Sequence, residues 1–234
     1  MHRAWRFRRR SEPGPVRCVL EGLGAGDIAI DIGANRGAHT YWMCRRVGGG
    51  GRVIAVEPQP EWAEYLRSPG RAFRFDQLEV VESGLSSGAG VRDLVLPHDN
   101  PVGGASFEVA TVSDGRHLSV STLTLDALLD ERGAHPVSLI KCDVEGHEYE
   151  VFLGGRQTLS RDRPTLVFEC QNFRHPEGQI ARVFGMLHEL GYEGHYFGKR
   201  GTLHPVDGFD PVVHQDRAGS VYFDNFVFRH TSTM

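Results

Sequence analysis

Short apolar runs that end at glycine, proline or acidic residues recur along the chain, and segments of helical spacing separate them. Asp27-Ile28-Ala29-Ile30 reads as a first buried strand, and residues 38–46 can continue as a helix after the intervening loop. Arg52-Val53-Ile54-Ala55-Val56-Glu57 reads as a second strand and residues 60–67 as a helix, with Pro60 suited to its first turn. Leu78-Glu79-Val80-Val81-Glu82-Ser83 is a third strand, Val137-Ser138-Leu139-Ile140-Lys141-Cys142-Asp143 a fourth and Thr165-Leu166-Val167-Phe168-Glu169-Cys170 a fifth. Helical patterns over 124–131, with Thr122 or Thr124 as N-cap, and over 146–153 fall beside the fourth strand. Ile180, Val183, Phe184, Leu187 and Leu190 give a clean helical period stopped by Gly191. The aromatic run from Val221 to Phe228 suits a late sheet strand.

Residues 91–120 break this alternation. Val91-Arg92-Asp93-Leu94-Val95-Leu96 and Leu118-Ser119-Val120 are extended and flank a polar, glycine-containing loop, the pattern of an inserted β-hairpin or meander. Strands alternating with helices and closing on a terminal hairpin predict a mostly parallel sheet covered on both faces. No repeat or long linker divides the chain. Residues 25–234 read as one domain behind a basic segment and lead-in over 1–24.

At 234 residues the chain suits one well-buried domain, and its net charge of −4 argues against a broad grip on nucleic acid. The start, His2-Arg3-Ala4-Trp5-Arg6-Phe7-Arg8-Arg9-Arg10, is the local exception. It reads as a solvated tail, with contact to anionic lipid, RNA or a partner protein as the alternative. It lacks the apolar stretch of a secretory signal, and no apolar run reaches the length of a membrane span. Cys18, Cys44, Cys142 and Cys170 are scattered without CxxC pairing, which fits a reduced, cytoplasmic setting.

The chemistry begins at Asp31-Ile32-Gly33-Ala34-Asn35-Arg36-Gly37, a glycine-spaced loop between strand and helix. Loops of this kind cradle nucleotide-like ligands, and Glu57 at the next strand end can accept hydrogen bonds from a ribose diol. The spacing is not the GxGxxG of a dinucleotide site. Asp31 would repel the pyrophosphate of NAD but favour an ammonium group, which S-adenosylmethionine carries beside its positive sulfonium.

These features, followed by Gly84-Leu85-Ser86 and by Lys141-Cys142-Asp143-Val144-Glu145-Gly146-His147-Glu148, resemble the successive motifs of FkbM-type methyltransferases over roughly residues 25–230. The resemblance implies a Rossmann-like, doubly wound, mostly parallel seven-stranded sheet of the class I methyltransferases, carrying the inserted β-hairpin and a terminal antiparallel hairpin. It implies S-adenosylmethionine as cofactor, with Asp31, Gly33, Ala34, Asn35 and Gly37 along its methionine half and Glu57 on the ribose. Ser83, Gly84 and Leu85 would border the adenine, and Asp143 would also face the cofactor. The implied reaction is O-methylation of a small-molecule hydroxyl, such as a natural product, sugar or lipid-like acceptor.

A hydroxyl nucleophile needs a base, or a metal that lowers its pKa. Asp143, Glu145 and Glu169 lie at or just beyond strand ends where ligands bind, and His147 offers an imidazole. Asp143, Glu169 and Asn172 form a candidate oxygen site for Mg²⁺, by analogy with catechol O-methyltransferases; a hydrogen-bonded cluster without metal is the alternative. Lys141 shares a strand face with Asp143 and is expected to pair with it. His39, His98 and His117 are weaker candidates, and Phe107, His117, Tyr196, Phe197 and Phe209 either line the acceptor side or pack ordinarily. Other readings are a methyltransferase of RNA or protein, against which the charge and the lack of an Asn-Pro-Pro-Tyr-like motif speak, and a silent cofactor-binding module.

Overall fold

The computed structural model describes residues 2–98, 104–108, 115–172, 178–219 and 221–233. The chain opens with α1 (His2–Arg6), one π-helical turn (Phe7–Ser11) and α2 (Pro13–Gly22). Then come β1 (Ile28–Ile32), α3 (Ala38–Val47), β2 (Arg52–Val56), α4 (Pro60–Ala72) and β3 (Leu78–Val81). The insert supplies β4 (Gly84–Leu85), β5 (Gly90–Pro97) and β6 (Gly115–Leu123). After it run α5 (Leu125–Glu131), β7 (Leu139–Cys142), α6 (Glu148–Leu153), α7 (Arg156–Asp162), β8 (Thr165–Glu169) and α8 (Gln179–Glu189). The last elements are β9 (Tyr192–Phe197), β10 (Leu203–Pro205), α9 (Pro211–His214) and β11 (Asn225–His230).

The main sheet runs β10-β9-β11-β8-β7-β1-β2-β3. Its five central and edge strands from β8 to β3 pair in parallel, and β11 inserts antiparallel between β8 and β9. This is the expected doubly wound sheet with its antiparallel end. It has eight strands rather than seven because β10, only Leu203-His204-Pro205, adds to the outer edge of β9. Three exposed residues with a proline leave no apolar pattern from which to predict a strand. The insert forms its own sheet, β4-β6-β5, around the predicted hairpin of β5 and β6. The insert residues 99–103 and 109–114 lie outside the described residues.

Alternation along each strand divides the sheet into two chemically different faces. On one face Ile30, Ile54, Ile140, Leu166, Phe168, Phe226 and Phe228 pack under α5 to α8, through Leu125, Phe152, Leu159, Ile180 and Val183. Each such fully buried side chain contributes roughly 1.5–3 kcal/mol, so this face is the rigid platform. On the other face Ala29, Val53 and Leu139 meet Val19, Met43 and Val47 of α2 and α3. That same face carries Asp31 and Lys141, in register on neighbouring strands, both buried.

Burying that charged row requires a cover, and the N-terminal segment provides it. Residues 2–11 and 13–22 are helical rather than a solvated tail. Ala4 and Val16 are buried against Trp42, whose indole Nε1 donates to the Ala4 carbonyl at 3.0 Å. Arg8 stacks over Trp42 and Arg9 over Trp5, which holds part of the basic run to the protein. Among the described residues, no helix is long and apolar enough to cross a membrane. All four cysteines are free and buried.

Candidate active site

The carboxyl ends of β1, β2, β3 and β7 open into a cleft roofed by the insert on one side and the N-terminal helices on the other. Its floor is the β1–α3 loop. Gly33 and Gly37 both have φ of +72°, left-handed values that suit glycine. A Cβ on Gly33 would come 1.8 Å from the Asp143 carbonyl, and one on Gly37 2.7 Å from Leu66. The two glycines therefore let the loop lie against the end of β7 and against α4. Asn35 adopts φ of 47°, which its short polar side chain tolerates. The predicted cofactor residues Asp31, Gly33, Ala34, Asn35, Glu57, Ser83, Gly84, Leu85 and Asp143 all line this cleft, while Gly37 shapes its floor from behind.

Glu57 is buried at the end of β2. One carboxylate oxygen accepts from the Asn35 amide at 2.8 Å and the other from the Gln59 amide at 2.9 Å. Burial outweighs those bonds and pushes its pKa up to about 7. The Gln59 side chain also donates to this carboxylate, and its remaining acceptor capacity faces the cleft where a ribose diol could donate. Asp31 accepts from Thr40 Oγ1 at 2.5 Å, and burial raises its pKa against the opposing pull of His39, Thr40 and Lys141. Ser83 Oγ donates to the Ser121 carbonyl of β6 at 2.8 Å and so ties the far end of the cleft to the insert. Phe107 lies over Gly84, where a Cβ would meet its ring at 2.5 Å. An acidic strand end, a diol acceptor and an apolar slot follow one another along the cleft, and S-adenosylmethionine presents complementary groups in that order.

Lys141 is the electrostatic hub. Its ammonium is buried and sits 3.4 Å from Asp143, the predicted pair. Burial opposes its charge, but Asp143, Glu12, Glu169 and Asp31 more than offset this and hold its pKa above the usual lysine value. Glu12 arrives from the N-terminal segment, with Oε2 2.9 Å from His39 Nε2. Burial works against its ionisation, yet the His39 bond, Lys141 and Arg3 lower its pKa to about 2. Glu12, Arg3 and Phe7 all line the cleft, and the sequence reading assigned none of them to it.

Beyond β7 the backbone turns through two left-handed residues, Glu145 at φ 55° and Gly146 at φ 105°. Glu148 fixes the turn: its Oε1 accepts from the amides of Val144 at 3.1 Å and Gly146 at 3.3 Å. Burial pushes the Glu148 pKa up to about 7. Glu145 accepts from the Gly104 amide at 3.0 Å, and its carbonyl accepts from Ser106 Oγ at 2.7 Å. The Glu-Gly-x-Glu block thus docks the insert onto the end of β7.

Three predicted placements are corrected by this geometry. His147 is not poised over the cleft: it is buried, with Nδ1 2.7 Å from Glu108 and Nε2 3.0 Å from Ser86 Oγ. Both ring nitrogens are engaged in holding the insert, so none is left for an acceptor. Glu169 stands behind Lys141 rather than in the cleft lining, and accepts from Gln171 Nε2. Burial, with Asp143, Asp224 and Glu145 nearby, raises its pKa far above the usual carboxylate value. Asn172 is turned to the start of α8, where its Oδ1 accepts from the Ile180 amide at 3.4 Å. The Asp143–Glu169–Asn172 oxygen set is therefore not assembled, and among the described residues no group of three or more His, Cys, Asp or Glu side chains could hold a metal ion. Of the aromatic candidates only Phe107 lines the cleft. Phe197 packs with Cys18, Val167 and Val227, and Tyr196 and Phe209 belong to a cluster with Phe223 and Phe226. His117 is exposed and pairs with Asp93 on the hairpin, whereas His39 does line the cleft.

Strand order, reversal at β11 and acidic strand ends around one cleft together define a class I methyltransferase architecture. The crystal structure of methyltransferase FkbM from Methylobacillus flagellatus KT superposes with a TM-score of 0.55 at 17% identity, covering 89% of this chain and 44% of that one. Residues 31–193 match the family model of the methyltransferase FkbM domain, and the chain belongs to that family. Hexuronic acid methyltransferase AglP of Haloferax volcanii is 28% identical over 161 residues, which are 66% of this chain and 61% of that protein. A catechol O-methyltransferase of Mycobacterium tuberculosis is 36% identical over 72 residues, 30% of this chain and 33% of that protein. The chain spans less than two thirds of the length of these relatives.

Proposed function

We propose that the protein transfers the methyl group of S-adenosylmethionine to a hydroxyl of a small organic acceptor. The observation that carries this reading is Asp143, which opens on the cleft at the end of β7 beside the β1–α3 loop and is oriented by buried Lys141. Membership of the FkbM family and similarity to a hexuronic acid methyltransferase and a catechol O-methyltransferase support a hydroxyl-bearing acceptor of sugar or related type. S-adenosylmethionine, when bound, supplies a methyl group activated on a sulfonium.

This chain's residues do the rest. Asp31 and Glu12 place negative charge where the ammonium of the cofactor would enter. Glu57 accepts from the ribose hydroxyls, and Gly84 with Leu85 and Phe107 forms the apolar slot for the base. Asp143 accepts the proton of the acceptor hydroxyl, and Glu145 acts as a positioning residue that keeps the insert closed against the cleft. His147 and Glu148 hold the turn on which both depend. The test is transfer of labelled methyl from S-adenosylmethionine to a panel of sugars, uronates and catechols. A labelled methyl ether is expected; tight NAD binding with no S-adenosylhomocysteine binding would overturn the reading.

A further inference from the structure

The methionine end of the cleft holds two arginines that the methyl-transfer reading has not used. Arg3 comes from α1 and Arg36 from the β1–α3 loop, and both line the cleft. Arg36 stacks over Trp62, its guanidinium carbon 4.2 Å from the ring centroid, and Arg3 over Phe7 at 4.9 Å. Stacking fixes the planes of both guanidinium groups and leaves their edges for a ligand. The Nε atoms of Arg3 and Arg36 are buried and have no hydrogen-bond partner among the described residues. His39 Nδ1 nearby is in the same state, its Nε2 being held by Glu12.

Two guanidinium groups lining one cavity, with Glu12 as counter-charge near Arg3, can share an anion that enters between them. Burial and the proximity of Arg36 and Arg6 all lower the Arg3 pKa, as expected of cations held together. The remaining arginines of the basic start, Arg6, Arg8, Arg9 and Arg10, are exposed. Arg3 is thus set apart from them by position, and α1 serves as a wall of the cleft.

We propose that Arg3 and Arg36 form a carboxylate-binding pair that closes the methionine end of the cleft. The fork geometry of a guanidinium matches the two oxygens of a carboxylate. Two molecules could bring that group: the cofactor, through its α-carboxylate, or an acidic acceptor such as a uronate. The proposal rests on the methyl-transfer reading and adds to it that residues 2–12 complete the site.

Calorimetry on the full chain tests it, with Arg3→Gln, Arg36→Gln and Arg36→Lys. Three probes are used: S-adenosylhomocysteine, 5′-methylthioadenosine (the same nucleoside without the amino-acid carboxylate), and glucuronate against glucose on protein saturated with S-adenosylhomocysteine. If the carboxylate is the cofactor's, each Gln variant weakens S-adenosylhomocysteine about tenfold or more, leaves methylthioadenosine within about twofold, and Arg36→Lys recovers part of the loss. If it is the acceptor's, S-adenosylhomocysteine affinity holds and the preference for glucuronate over glucose disappears. Equal weakening of both nucleosides would mean a purely structural role and would overturn the pair. So would unchanged S-adenosylhomocysteine affinity with no loss of glucuronate binding. Wild-type protein that binds neither nucleoside would instead sink the methyl-transfer reading and the pair with it.

Discussion

The two halves of the cleft use the same residue types in opposite ways. At the ends of β1 and β2 the acidic groups face the cavity: Asp31 and Glu57 are each fixed by local donors and line the cleft. Along β7, β8 and the turn after them, the titratable groups mostly face one another. Glu148 ties down amides, His147 bridges Glu108 and Ser86, and half-buried Glu169 lies near Asp143, Asp224 and Lys141. The first half leaves acidic groups open to a ligand; the second half is mostly a frame, from which Lys141, Asp143 and Glu145 reach the cavity. A histidine or glutamate beside a strand end is therefore not evidence of catalysis until its remaining hydrogen-bond capacity is counted.

The frame is most exposed to attack at Lys141. Lys141→Met removes the buried ammonium that acts on Asp31, Asp143, Glu12 and Glu169, and breaking a buried ion pair from one side costs about 3–5 kcal/mol. Urea unfolding should show a loss of that size; a change below about 1 kcal/mol would mean the four carboxylates do not depend on it. The contrast between Asp143 and His147 is sharper. Asp143→Asn should lower kcat about 100-fold or more with little change in S-adenosylhomocysteine affinity, the signature of a lost base. His147→Gln should leave kcat within about threefold while costing roughly 1–3 kcal/mol of stability, because Glu108 and Ser86 lose a buried partner. The reverse pattern, activity lost at His147 and kept at Asp143, would exchange their roles.

What the sequence made legible follows the same division. The period-2 strands, the helical stripe over α8 and the glycine loop are local patterns, and they bring Asp31, Gly33, Glu57 and Gly84 to one cleft because each lies within a few residues of its strand end. The Lys141–Asp143 pair was legible for the same reason, two residues apart on one strand. The contacts of His147 were not, since Ser86 lies 61 positions away and Glu108 lies 39 away. Glu12 and Arg3 were hidden by composition: a basic, aromatic-bearing start resembles a solvated tail. The missed signal was on the sheet itself, because Asp31 and Lys141 share one buried face and such a row demands a polar cover. Tyr196 and Phe209 fall on the packing side of an open choice, because aromatic content alone does not distinguish an acceptor wall from the core beside β11.

The binding half is tested at Glu57. Each hydrogen bond from a ligand to a charged group is worth about 1.5–3 kcal/mol, so Glu57→Ala should weaken S-adenosylhomocysteine roughly 10- to 100-fold. An affinity within about twofold of wild type would remove Glu57 from the ribose site.

The smallest expected effect, and the most specific to this half, is its pH dependence. Burial raises the Glu57 pKa to about 7 from an ordinary value of 4.5. A carboxyl whose folded pKa is raised stabilises the free protein fully below the ordinary value, and that contribution fades as pH climbs from about 4.5 through 7. A ribose diol donates to the ionised form, so ligand affinity moves the other way. S-adenosylhomocysteine should bind up to about tenfold more tightly at pH 8 than at pH 6, since the ionised fraction of a group titrating near 7 changes by about that factor. Glu57→Gln should bind weakly and flatten the profile between those values. A wild-type profile already flat there would mean that the ligand does not meet the Glu57 carboxylate, and a slope surviving in Glu57→Gln would move the titration to another group of the cleft, Asp31 being the nearest buried carboxyl with a raised pKa.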